Sequence, residues 1–594
     1  MFWRCSILLK RTHTCGELNS SNSGQEVILN GWVDRIRDLG GIKFIMLRDR
    51  YGKTQVFFDP NENQDLYQKA LKLGNEYTVS IKGIVKERPA DAINTDMKTG
   101  DIEIHATELE ILSESETPPI YVNRDEEISE NLRLKYRYLD LRKEKMQKNI
   151  ILRHRVMQAA RNYLSNKDFL EIETPFLNKS TPEGARDFVV PSRIKKGNFY
   201  ALPQSPQIFK QLLMVSGMDK YFQIARCFRD EDFRADRQPE FTQIDFEASF
   251  VDKEDIFEIG EGLVKECFDK GLNIEIETPF KRMTYKEAMN KYGSDKPDTR
   301  YGMELNDITE YFKNTKAKFL KSVIDENGVI KGFSIPEKAN EFSRKKFDEL
   351  TDLAKQFGAS GLIWISKEEN KDVKSTIKKL AEEEINNLLN DGIINDGEVM
   401  LIVAGELSKV NKILGQLRAT IIRDEYVKKD GFDIMWITDF PMFSWNEEEQ
   451  RLEAEHHPFT MPNVEDLEMY KDEPLKINSQ SYDLVINGYE MASGSVRIHR
   501  KDIQNKVFEI IGLKEEEITD KFGFLLEAFR YGPPPHAGAA LGMDRLVAVM
   551  AGEDSIKEVI AFPKTATGSD PMAEAPSKLS EYQLKELNII LKND

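Results

Sequence analysis

The sequence has 594 residues, of which 40% are hydrophobic and 31% charged, and its formal net charge is −18. This length exceeds what one hydrophobic core supports, so three or four domains are expected. The negative charge excludes a protein that coats nucleic acid non-specifically, although a local basic surface can still bind it. Four cysteines without a CxxC spacing favour reduced thiols over a metal site.

The sequence predicts neither a membrane segment nor a targeting signal. No apolar run reaches the roughly 18 residues that a membrane span requires. The first ten residues hold one short apolar patch, Cys5 to Leu9, without a small-residue cleavage pattern. A start-site extension is therefore favoured over a signal, and a cytoplasmic location without a membrane partner is expected.

Residues 12–118 alternate short apolar runs with turns. A small closed β-barrel of the OB-fold type is predicted from five such runs, at residues 27–33, 42–47, 54–58, 77–85 and 102–105. Arg37 lies in a basic turn after the first run, and Phe44 and Gln55 lie on the next two. These side chains suit a stacked single-stranded base, but most barrels with a surface phenylalanine are simply packed.

A linker, a helix and a strand follow the predicted barrel. Pro118 and Pro119 mark the linker, and apolar residues at helical spacing predict a helix from Lys143 to Asn166. The run from Phe169 predicts a strand that Pro175 stops, which suits a sheet edge or an interface.

The stretch from Phe228 to Glu247 places ten charged residues between two apolar, strand-like runs. In the second run one face carries only apolar residues and threonine: Thr242, Ile244, Phe246, Ala248 and Phe250. The other face carries an aromatic ring, an amide and two acids: Phe241, Gln243, Asp245 and Glu247. This second face is predicted to form the floor of a polar pocket, with the loop 230–240 beside its mouth.

Residues 301–429 differ in character and predict an inserted α/β module. Lys367 to Asp391 is rich in Glu and Lys, which predicts a solvated helix. Val399 to Ala404 predicts a buried strand that leads into a helix. The polar pocket motifs stop before this block and resume after it.

A β-hairpin is predicted around Asn487-Gly488. A two-residue loop would pair Val485 with Glu490 and Asp483 with Ala492, so both carboxylates would share one face. Such a pair can hold Mg²⁺ with substrate phosphates as further ligands, or it can be two solvated acids. The opposite face is predicted to be buried through Leu484, Ile486, Tyr489 and Met491.

Two further motifs carry polar chemistry near the end of the chain. His456 and His457 point to opposite faces of an extended chain, which favours hydrogen bonding or a structural role over zinc. Small residues between His536 and Gly542 would let a ligand approach the backbone. Arg545 then opens an apolar helix, where it can hold a phosphate or stack on a base.

The strand–proline, FRDE and GMDR motifs, in this order, resemble the three motifs of class II aminoacyl-tRNA synthetases. More narrowly, the chain resembles the bacterial-type aspartyl-tRNA synthetases of subclass IIb over residues 11–594. The residues that carry this resemblance are Arg11–Leu18, Thr181–Asp187, Gln204–Lys210, Phe228–Glu231, Arg237–Asp245 and Gly542–Arg545.

The resemblance implies an α+β multidomain fold and a homodimer. Its parts would be an OB-fold anticodon-binding barrel, a class II catalytic domain of antiparallel sheet with flanking helices, and an inserted α/β domain of the GAD type. The expected boundaries are 1–11 for an N-terminal extension, 12–118 for the barrel, 119–140 for a linker, 141–300 and 430–562 for the catalytic domain, 301–429 for the insertion and 563–594 for a C-terminal extension.

The resemblance also implies an ATP-dependent, AMP-forming ligase with Mg²⁺ as cofactor. L-aspartate and ATP would give aspartyl-adenylate and diphosphate, and aspartate would then pass to the 3′ end of tRNA-Asp. The implied catalytic residues are Arg229 and Arg545. The implied ATP contacts are Arg229, Asp230, Glu231, Gln238, Phe241, Glu490, Gly542, Met543, Asp544 and Arg545.

The same resemblance assigns the other binding residues. Aspartate would contact Glu183, Ser205, Gln207, Lys210, Arg229, Gln243, Asp245, His456, His457 and Arg497. Magnesium would contact Asp483 and Glu490. The anticodon would contact Arg37, Phe44, Gln55 and Glu103.

Related activities are less consistent with these residues. In a lysyl enzyme, Lys210 and Arg497 would repel the ammonium side chain of the substrate. A stand-alone ligase would lack the barrel. An inactive paralogue would have lost Arg229, Asp245 or Arg545. Leu39 resembles the subgroup that charges tRNA-Asp alone, because non-discriminating relatives tend to carry histidine there. An enzyme that also charges tRNA-Asn is the alternative.

Overall fold

The computed structural model describes residues 10–124, 126–180, 184–232, 235–447 and 449–592. They form two compact units. The first unit holds the described parts of Met1–Ile151, Phe233–Gln238 and Lys557–Ser580, and the second holds those of Leu152–Asp232, Pro239–Ile556 and Glu581–Asp594. Among the described helices, none combines the length and the apolarity that crossing a membrane requires.

Five strands of the first unit close into a barrel, in the order β1-β2-β3-β5-β4. Val27, Leu29 and Val33 alternate inward on the first strand and are fully buried, so the period-2 pattern builds the barrel core. The five predicted strands are confirmed, but the predicted turn that holds Arg37 is wrong, because the first strand continues to Leu39 and Arg37 pairs with Phe44. The elements are β1 (Glu26–Leu39), β2 (Ile42–Arg48), β3 (Lys53–Phe58), α1 (Gln64–Ala70), β4 (Thr78–Glu87) and β5 (Ile102–Ser113).

The helix predicted over 143–166 is also confirmed, and a short strand follows it. The next elements are α2 (Glu130–Lys135), α3 (Arg137–Asp140), α4 (Glu144–Asn166), β6 (Leu170–Glu171), β7 (Val189–Pro191) and β8 (Phe199–Ala201). The predicted strand before Pro175 shrinks to the two residues of β6, which lies at a sheet edge. Pro175 lies four residues beyond the end of β6, so the strand ends before the residue that was predicted to stop it.

The stretch that was predicted to carry the pocket forms two long antiparallel strands. The elements here are α5 (Gln207–Val215), β9 (Lys220–Phe228), β10 (Glu240–Ser249), α6 (Lys253–Leu272), β11 (Lys281–Thr284) and α7 (Tyr285–Tyr292). The prediction that Phe250 continues the apolar face is wrong. Its φ of 59° ends β10 one residue earlier, and its side chain is 75% exposed.

Residues between α7 and the second half of the large sheet form their own five-stranded sheet, in the order β12-β13-β16-β14-β15. Its elements are β12 (Asn306–Asp307), α8 (Lys318–Asp325), β13 (Val329–Ile335), α9 (Arg344–Gln356), β14 (Ile363–Ser366), β15 (Lys374–Ser375), α10 (Glu382–Asn390), β16 (Val399–Gly405) and α11 (Leu407–Glu425). The buried strand before α11 is confirmed. The single helix predicted over 367–391 is wrong, because Lys374 and Ser375 pair with β14 instead.

The chain then returns to the large sheet. The remaining elements are β17 (Ile434–Thr438), β18 (Phe443–Asn446), β19 (Arg451–Ala454), α12 (Val464–Met469), β20 (Ser481–Ile486), β21 (Tyr489–Val496), α13 (Lys501–Ile510), α14 (Glu515–Ala528), β22 (His536–Gly542), α15 (Met543–Ala551) and α16 (Glu581–Leu587). The eight strands lie in the order β11-β17-β20-β21-β22-β10-β9-β6. All neighbours from β17 to β9 are antiparallel, and only the two outermost pairs are parallel.

The predicted hairpin forms with a shifted register. Asn487 and Gly488 both have positive φ, as a two-residue hairpin turn requires, and Val485 pairs with Glu490. A bulge between Leu484 and Val485 then places Asp483 opposite Ser493 rather than Ala492. Tyr489 is 42% exposed, so its predicted burial is wrong.

Candidate active site

A polar floor runs across the central strands of the large sheet. Residues directly opposite each other on neighbouring strands share a face. The register pairs Asp483 with Ser493, Ser493 with Ala540, and Ala540 with Asp245, which forms one row across four strands. Three strand spacings put roughly 14 Å between the backbones of the two aspartates. The row is thus long enough for an extended ligand.

One end of the row holds a buried cluster of four charges. Lys210 Nζ lies 2.8 Å from Asp245 Oδ2 and 3.2 Å from Glu247 Oε2. Arg497 Nε and Nη2 donate to the two oxygens of Glu247 at 2.9 and 3.2 Å. All four side chains are almost fully buried. Two cations and two carboxylates make the cluster neutral, as burial requires.

The two cations keep donors for a ligand. A guanidinium has five N–H groups, and Arg497 uses two on Glu247 and a third on Ser495 Oγ at 2.7 Å. One N–H on each terminal nitrogen is left, and these two donors can form a fork for a carboxylate. Lys210 engages two carboxylates and has a third N–H. The cluster can therefore bind one anionic group.

The two carboxylates differ in proton affinity. Burial opposes the charge of Glu247, but Arg497 and Lys210 outweigh it and lower the pKa to about 2. Burial raises the pKa of Asp245 to about 6 in spite of Lys210. Asp245 Oδ1 is buried without a hydrogen-bond partner among the described residues. A ligand cation at that oxygen would supply the missing interaction.

Gly538 makes room for Glu247. A Cβ atom at this position would lie 2.2 Å from Glu247 Oε2 and 2.2 Å from the carbonyl oxygen of Phe246. The small residues of β22 thus accommodate a buried carboxylate here, a reason that differs from the predicted close approach of a ligand. Sequence reasoning placed Glu247 on the polar face but gave it no role, because its partner Arg497 is 250 residues away.

His456 and His457 lie beside the charge cluster, but the His456 side chain is exposed. Burial lowers the pKa of His457 to about 3, so the ring of His457 is neutral. His457 Nδ1 accepts a hydrogen bond from the backbone N–H of Phe459 at 3.2 Å, so its proton is on Nε2. That Nε2 is buried and has no partner among the described residues. His457 therefore offers a hydrogen-bond donor to a ligand.

Two arginines lie farther along the floor. The Arg229 guanidinium lies 5.1 Å from the Phe241 ring centre, and its Nε donates to the carbonyl of Gln204 at 3.4 Å. Arg545 Nη1 donates to the carbonyl of Glu490 at 3.0 Å. An arginine over an aromatic ring is an arrangement that suits a nucleotide base and phosphate.

Several predicted nucleotide contacts are engaged within the protein. The Asp544 carboxylate accepts from Arg153 and from the backbone N–H of Thr242, and Met543 is fully buried. Asp230 pairs with the backbone of Arg186, and Glu231 lies next to it. Gln238 belongs to the first unit, where its amide makes two hydrogen bonds to the backbone of Lys564.

The remaining predicted aspartate contacts lie near the start of α5 and on β10. The hydroxyl of Ser205 accepts from the backbone N–H of Gln207 at 3.2 Å. Gln243 Oε1 accepts from Cys227 Sγ at 3.3 Å. Gln243 pairs with Gly542 across the strands, so the floor continues toward α15. Glu183 lies outside the described residues.

The other end of the row carries the carboxylate pair that was predicted to bind a metal. Burial and nearby Glu490 raise the pKa of Asp483 well above its ordinary value, and Asp483 Oδ1 has no hydrogen-bond partner in the described part of the chain. Two mutually repelling carboxylates with an orphaned oxygen fit a divalent cation. The described residues contain no group of three or more metal-binding side chains, so a substrate would have to complete the coordination.

The barrel carries a separate row of aromatic and polar side chains. Arg37 pairs with Phe44, Phe44 with Phe57 and Phe57 with His105, so all four lie side by side. Phe57 is 5.4 Å from Phe44 and 4.2 Å from His105 between ring centres. Beside this row, Gln55 donates to Glu103 at 3.0 Å. The predicted set of anticodon contacts did not include Phe57 and His105. Phe57 could have been found from its spacing, because residues two apart on a strand share a face and Phe57 is two residues after Gln55.

Leu39 ends the first barrel strand. Its side chain is 63% exposed, and the turn that follows uses positive φ at Gly40 and Gly41. A large aliphatic residue at an open hairpin tip contributes little to the core, so it is available to a binding partner.

The chain matches two family models. Residues 129–566 match "tRNA synthetases class II (D, K and N)", and residues 27–112 match "OB-fold nucleic acid binding domain". The chain is also 56% identical to a protein of Fervidobacterium nodosum named "Aspartate--tRNA ligase", over 98% of this chain and 99% of the relative. It is 52% identical to a Thermotoga maritima protein named "Aspartate--tRNA(Asp/Asn) ligase", over 98% and 99%.

Solved structures resemble most of the chain in fold. An asparaginyl-tRNA synthetase of Pyrococcus horikoshii, complexed with asparaginyl-adenylate, has a TM-score of 0.58 at 20% identity and covers 94% of this chain and 99% of its own. An aspartyl tRNA synthetase of Entamoeba histolytica has a TM-score of 0.57 at 19% identity, over 94% and 92%. At these identities the likeness concerns the fold.

Proposed function

The chain belongs to the class II tRNA synthetases, among the aspartate–tRNA ligases, and we propose that the polar floor is the site where L-aspartate and ATP react. The activity is the ATP-dependent joining of aspartate to tRNA. The observation that carries the site assignment is the buried cluster of Lys210, Asp245, Glu247 and Arg497, which keeps donors for one carboxylate beside an orphaned oxygen for one ammonium.

Aspartate binds at the charge cluster. The open fork of Arg497 and the third N–H of Lys210 hold its side-chain carboxylate, and His456 and His457 lie nearby. Asparagine would turn an amide N–H₂ toward these donors, so the site disfavours it. The ammonium group is bound by Asp245 and Gln207, and the other predicted neighbours of the amino acid are Glu183, Ser205 and Gln243.

ATP binds along the rest of the floor. Arg229 pairs with the α-phosphate, Phe241 stacks on one face of adenine, and Arg545 stacks on the other and reaches the γ-phosphate. Glu231 contacts the adenine edge or the ribose, and Gly542 and Met543 contribute backbone. Asp544 contributes by holding α15 in place, since its carboxylate is already engaged.

Positioning and charge stabilisation carry the chemistry. An oxygen of the aspartate α-carboxylate bonds to the α-phosphorus, the bond from phosphorus to the bridging oxygen breaks, and diphosphate leaves. Arg229 neutralises charge that develops on the α-phosphate. A ribose hydroxyl at the tRNA 3′ end then attacks the aspartyl carbonyl, and AMP leaves. Neither step needs a protein nucleophile.

Asp483 and Glu490 would hold Mg²⁺ together with phosphate oxygens. The ion would neutralise phosphate charge when bound. Two carboxylates alone are a minimal protein contribution, which is common for Mg²⁺ that arrives with a nucleotide.

The central test replaces Arg229 by alanine. Arg229→Ala is expected to abolish aspartate-dependent ATP–pyrophosphate exchange at an unchanged melting temperature, because the α-phosphate charge is left uncompensated. Arg282→Ala, which removes an exposed arginine paired with Glu254 at the opposite edge of the sheet from β6, serves as the control and should retain exchange. Near-normal exchange in Arg229→Ala would show that the nucleotide lies elsewhere.

The tRNA substrate is tRNA-Asp alone, as Leu39 at the exposed barrel tip suggests. Some relatives are named for both tRNA-Asp and tRNA-Asn, so an enzyme for both is the second candidate. The test charges purified transcripts of both tRNAs with labelled aspartate. Charging of tRNA-Asp alone is expected, and equal rates would establish the second candidate. Leu39→His is expected to raise charging of tRNA-Asn.

A homodimer completes the proposal. Large apolar side chains around β6 to β8 are exposed, among them Leu170, Phe176, Leu177, Val189 and Phe199. An exposed patch of this kind at a sheet edge suits a second copy. Light scattering should give twice the 68.5 kDa of one chain, and a monomer mass would contradict the dimer.

The proposal also includes the domain boundaries that were expected from the sequence. It further includes a cytoplasmic location, where tRNA and ATP are available.

A further inference from the structure

One face of α5 links the charge cluster to a second, uncharged network. Gln207, Lys210 and Gln211 lie three and four residues apart, so they share this face. Lys210 contacts Asp245 and Glu247, as described above. Gln211 is fully buried, like His536 at the start of β22, and the two side chains are in contact.

Three hydrogen bonds join these side chains in a fixed order. His536 Nδ1 lies 2.8 Å from the carbonyl oxygen of Pro534. His536 Nε2 lies 3.2 Å from Gln211 Nε2. Gln207 Nε2 donates to Gln211 Oε1 at 3.3 Å.

The carbonyl of Pro534 determines the direction of every bond in this chain. A carbonyl only accepts, so His536 Nδ1 must carry the proton that is donated to it. In the neutral ring Nε2 is then an acceptor, and Gln211 must turn its N–H₂ toward it. Gln211 therefore presents its carbonyl oxygen to Gln207, and Gln207 must donate with its own N–H₂. Gln207 is left with its carbonyl oxygen for another partner.

The surroundings of His536 support the neutral ring. Burial lowers its pKa, as do Arg497 and His499, while Glu247 acts in the opposite sense. A doubly protonated ring would turn an N–H toward the N–H₂ of Gln211 and break the chain of bonds.

We propose that Gln211 and His536 are positioning residues that fix the orientation of the Gln207 amide, so that its carbonyl oxygen accepts a hydrogen bond from the ammonium of aspartate. This rests on the proposed role of Gln207 at the substrate ammonium. A reversed amide would turn an N–H₂ toward an –NH₃⁺ group, two donors facing each other. Gln211 and His536, together called the relay below, thus favour a substrate with an α-ammonium group although neither of them contacts the substrate.

A double-mutant cycle tests the relay in the full-length enzyme. Gln207→Ala is expected to raise the KM for aspartate in ATP–pyrophosphate exchange about tenfold or more, the scale of a hydrogen bond to a charged group, with the KM for ATP unchanged. Gln211→Met, which keeps the volume and removes the amide, should produce a similar rise. Because Gln211 acts through Gln207, the double variant should match Gln207→Ala within about threefold.

A matched pair at His536 provides the second measurement. His536→Gln can place its carbonyl oxygen where Nε2 lies and is expected to keep the KM for aspartate within about threefold of wild type. His536→Asn replaces only the Nδ1 side of the ring and should raise the KM as Gln211→Met does. Melting temperatures identify variants with damaged folding, and this pair decides the matter if Gln211→Met does not fold.

The outcomes separate the relay from the pocket assignment. If Gln207→Ala leaves the KM for aspartate unchanged, the role of Gln207 fails, and the relay fails with it. If Gln207→Ala raises the KM but Gln211→Met and His536→Asn do not, only the relay is overturned. Effects that multiply in the double variant would also overturn it, since they would show that Gln211 acts independently.

Discussion

Replacing Glu247 by glutamine tests the charge cluster most sharply. Glu247 has a pKa of about 2 in the folded chain against 4.5 for an unperturbed glutamate. Each tenfold change in proton affinity corresponds to about 1.4 kcal/mol, so the ionised carboxylate contributes about 3 kcal/mol to folding. Because the folded pKa is the lower one, this contribution is complete above pH 4.5 and is lost as the pH falls toward 2. At pH 7.5 the neutral variant lacks all of it.

Thermal unfolding by calorimetry at pH 7.5 measures this loss. Glu247→Gln should lower the temperature at which the catalytic domain unfolds by roughly 4–8 °C. The matched control is Glu254→Gln, which removes a carboxylate that accepts from Arg282 Nη1 at 2.6 Å at the surface, where both side chains are more than a third exposed. Such a surface pair is worth about 0–1 kcal/mol, so the control should change little.

The same variant should impair aspartate activation. A glutamine at this position accepts one guanidinium N–H and opposes the other, so the open fork of Arg497 turns away from the substrate. The KM for aspartate is expected to rise while the KM for ATP stays unchanged. If Glu247→Gln melts within about 2 °C of wild type, Glu247 does not compensate the two cations, and the account of the cluster is refuted.

Three further predictions concern the same floor. Arg497→Leu should weaken aspartate activation by ~2–4 kcal/mol, the scale for a buried pair that loses one partner, and a loss below tenfold in kcat/KM would count against its role. The KM for aspartate should rise as the pH falls through about 6, because Asp245 then takes up a proton and no longer attracts the substrate ammonium. A KM for aspartate that is constant from pH 5 to pH 7.5 would contradict this role of Asp245. Asp483→Asn should raise the Mg²⁺ concentration needed for half-maximal exchange without changing the KM for aspartate, and an unchanged Mg²⁺ requirement would remove Asp483 from the metal site.

Local pattern was sufficient for much of the fold. The five barrel strands and the polar face of β10 follow from period-2 alternation, which needs no knowledge of distant residues. The Asn487-Gly488 turn is likewise local. The bulge that re-pairs Asp483 with Ser493 is not visible in the sequence, because register depends on how both strands fit the sheet.

Sequence pattern predicted less of the site than of the fold. The role of Glu247 depends on its contact with Arg497, and the role of Gln211 depends on its contact with His536. The two members of these pairs are 250 and 325 residues apart in the sequence. The solvated helix expected over 367–391 failed because Lys374 and Ser375 pair with β14, a tertiary contact that outweighs local propensity. The resemblance to aspartyl-tRNA synthetases supplied the substrate, which no single pattern in the chain identifies.

The choice between aspartate and asparagine is the most direct test of the pocket. Wild-type enzyme is assayed for ATP–pyrophosphate exchange with each amino acid at pH 7.5, and kcat/KM is compared. The fork of Arg497 and the third N–H of Lys210 predict a preference for aspartate of roughly 10³-fold or more. Comparable values for the two amino acids would contradict the assignment of these cations to the substrate side chain.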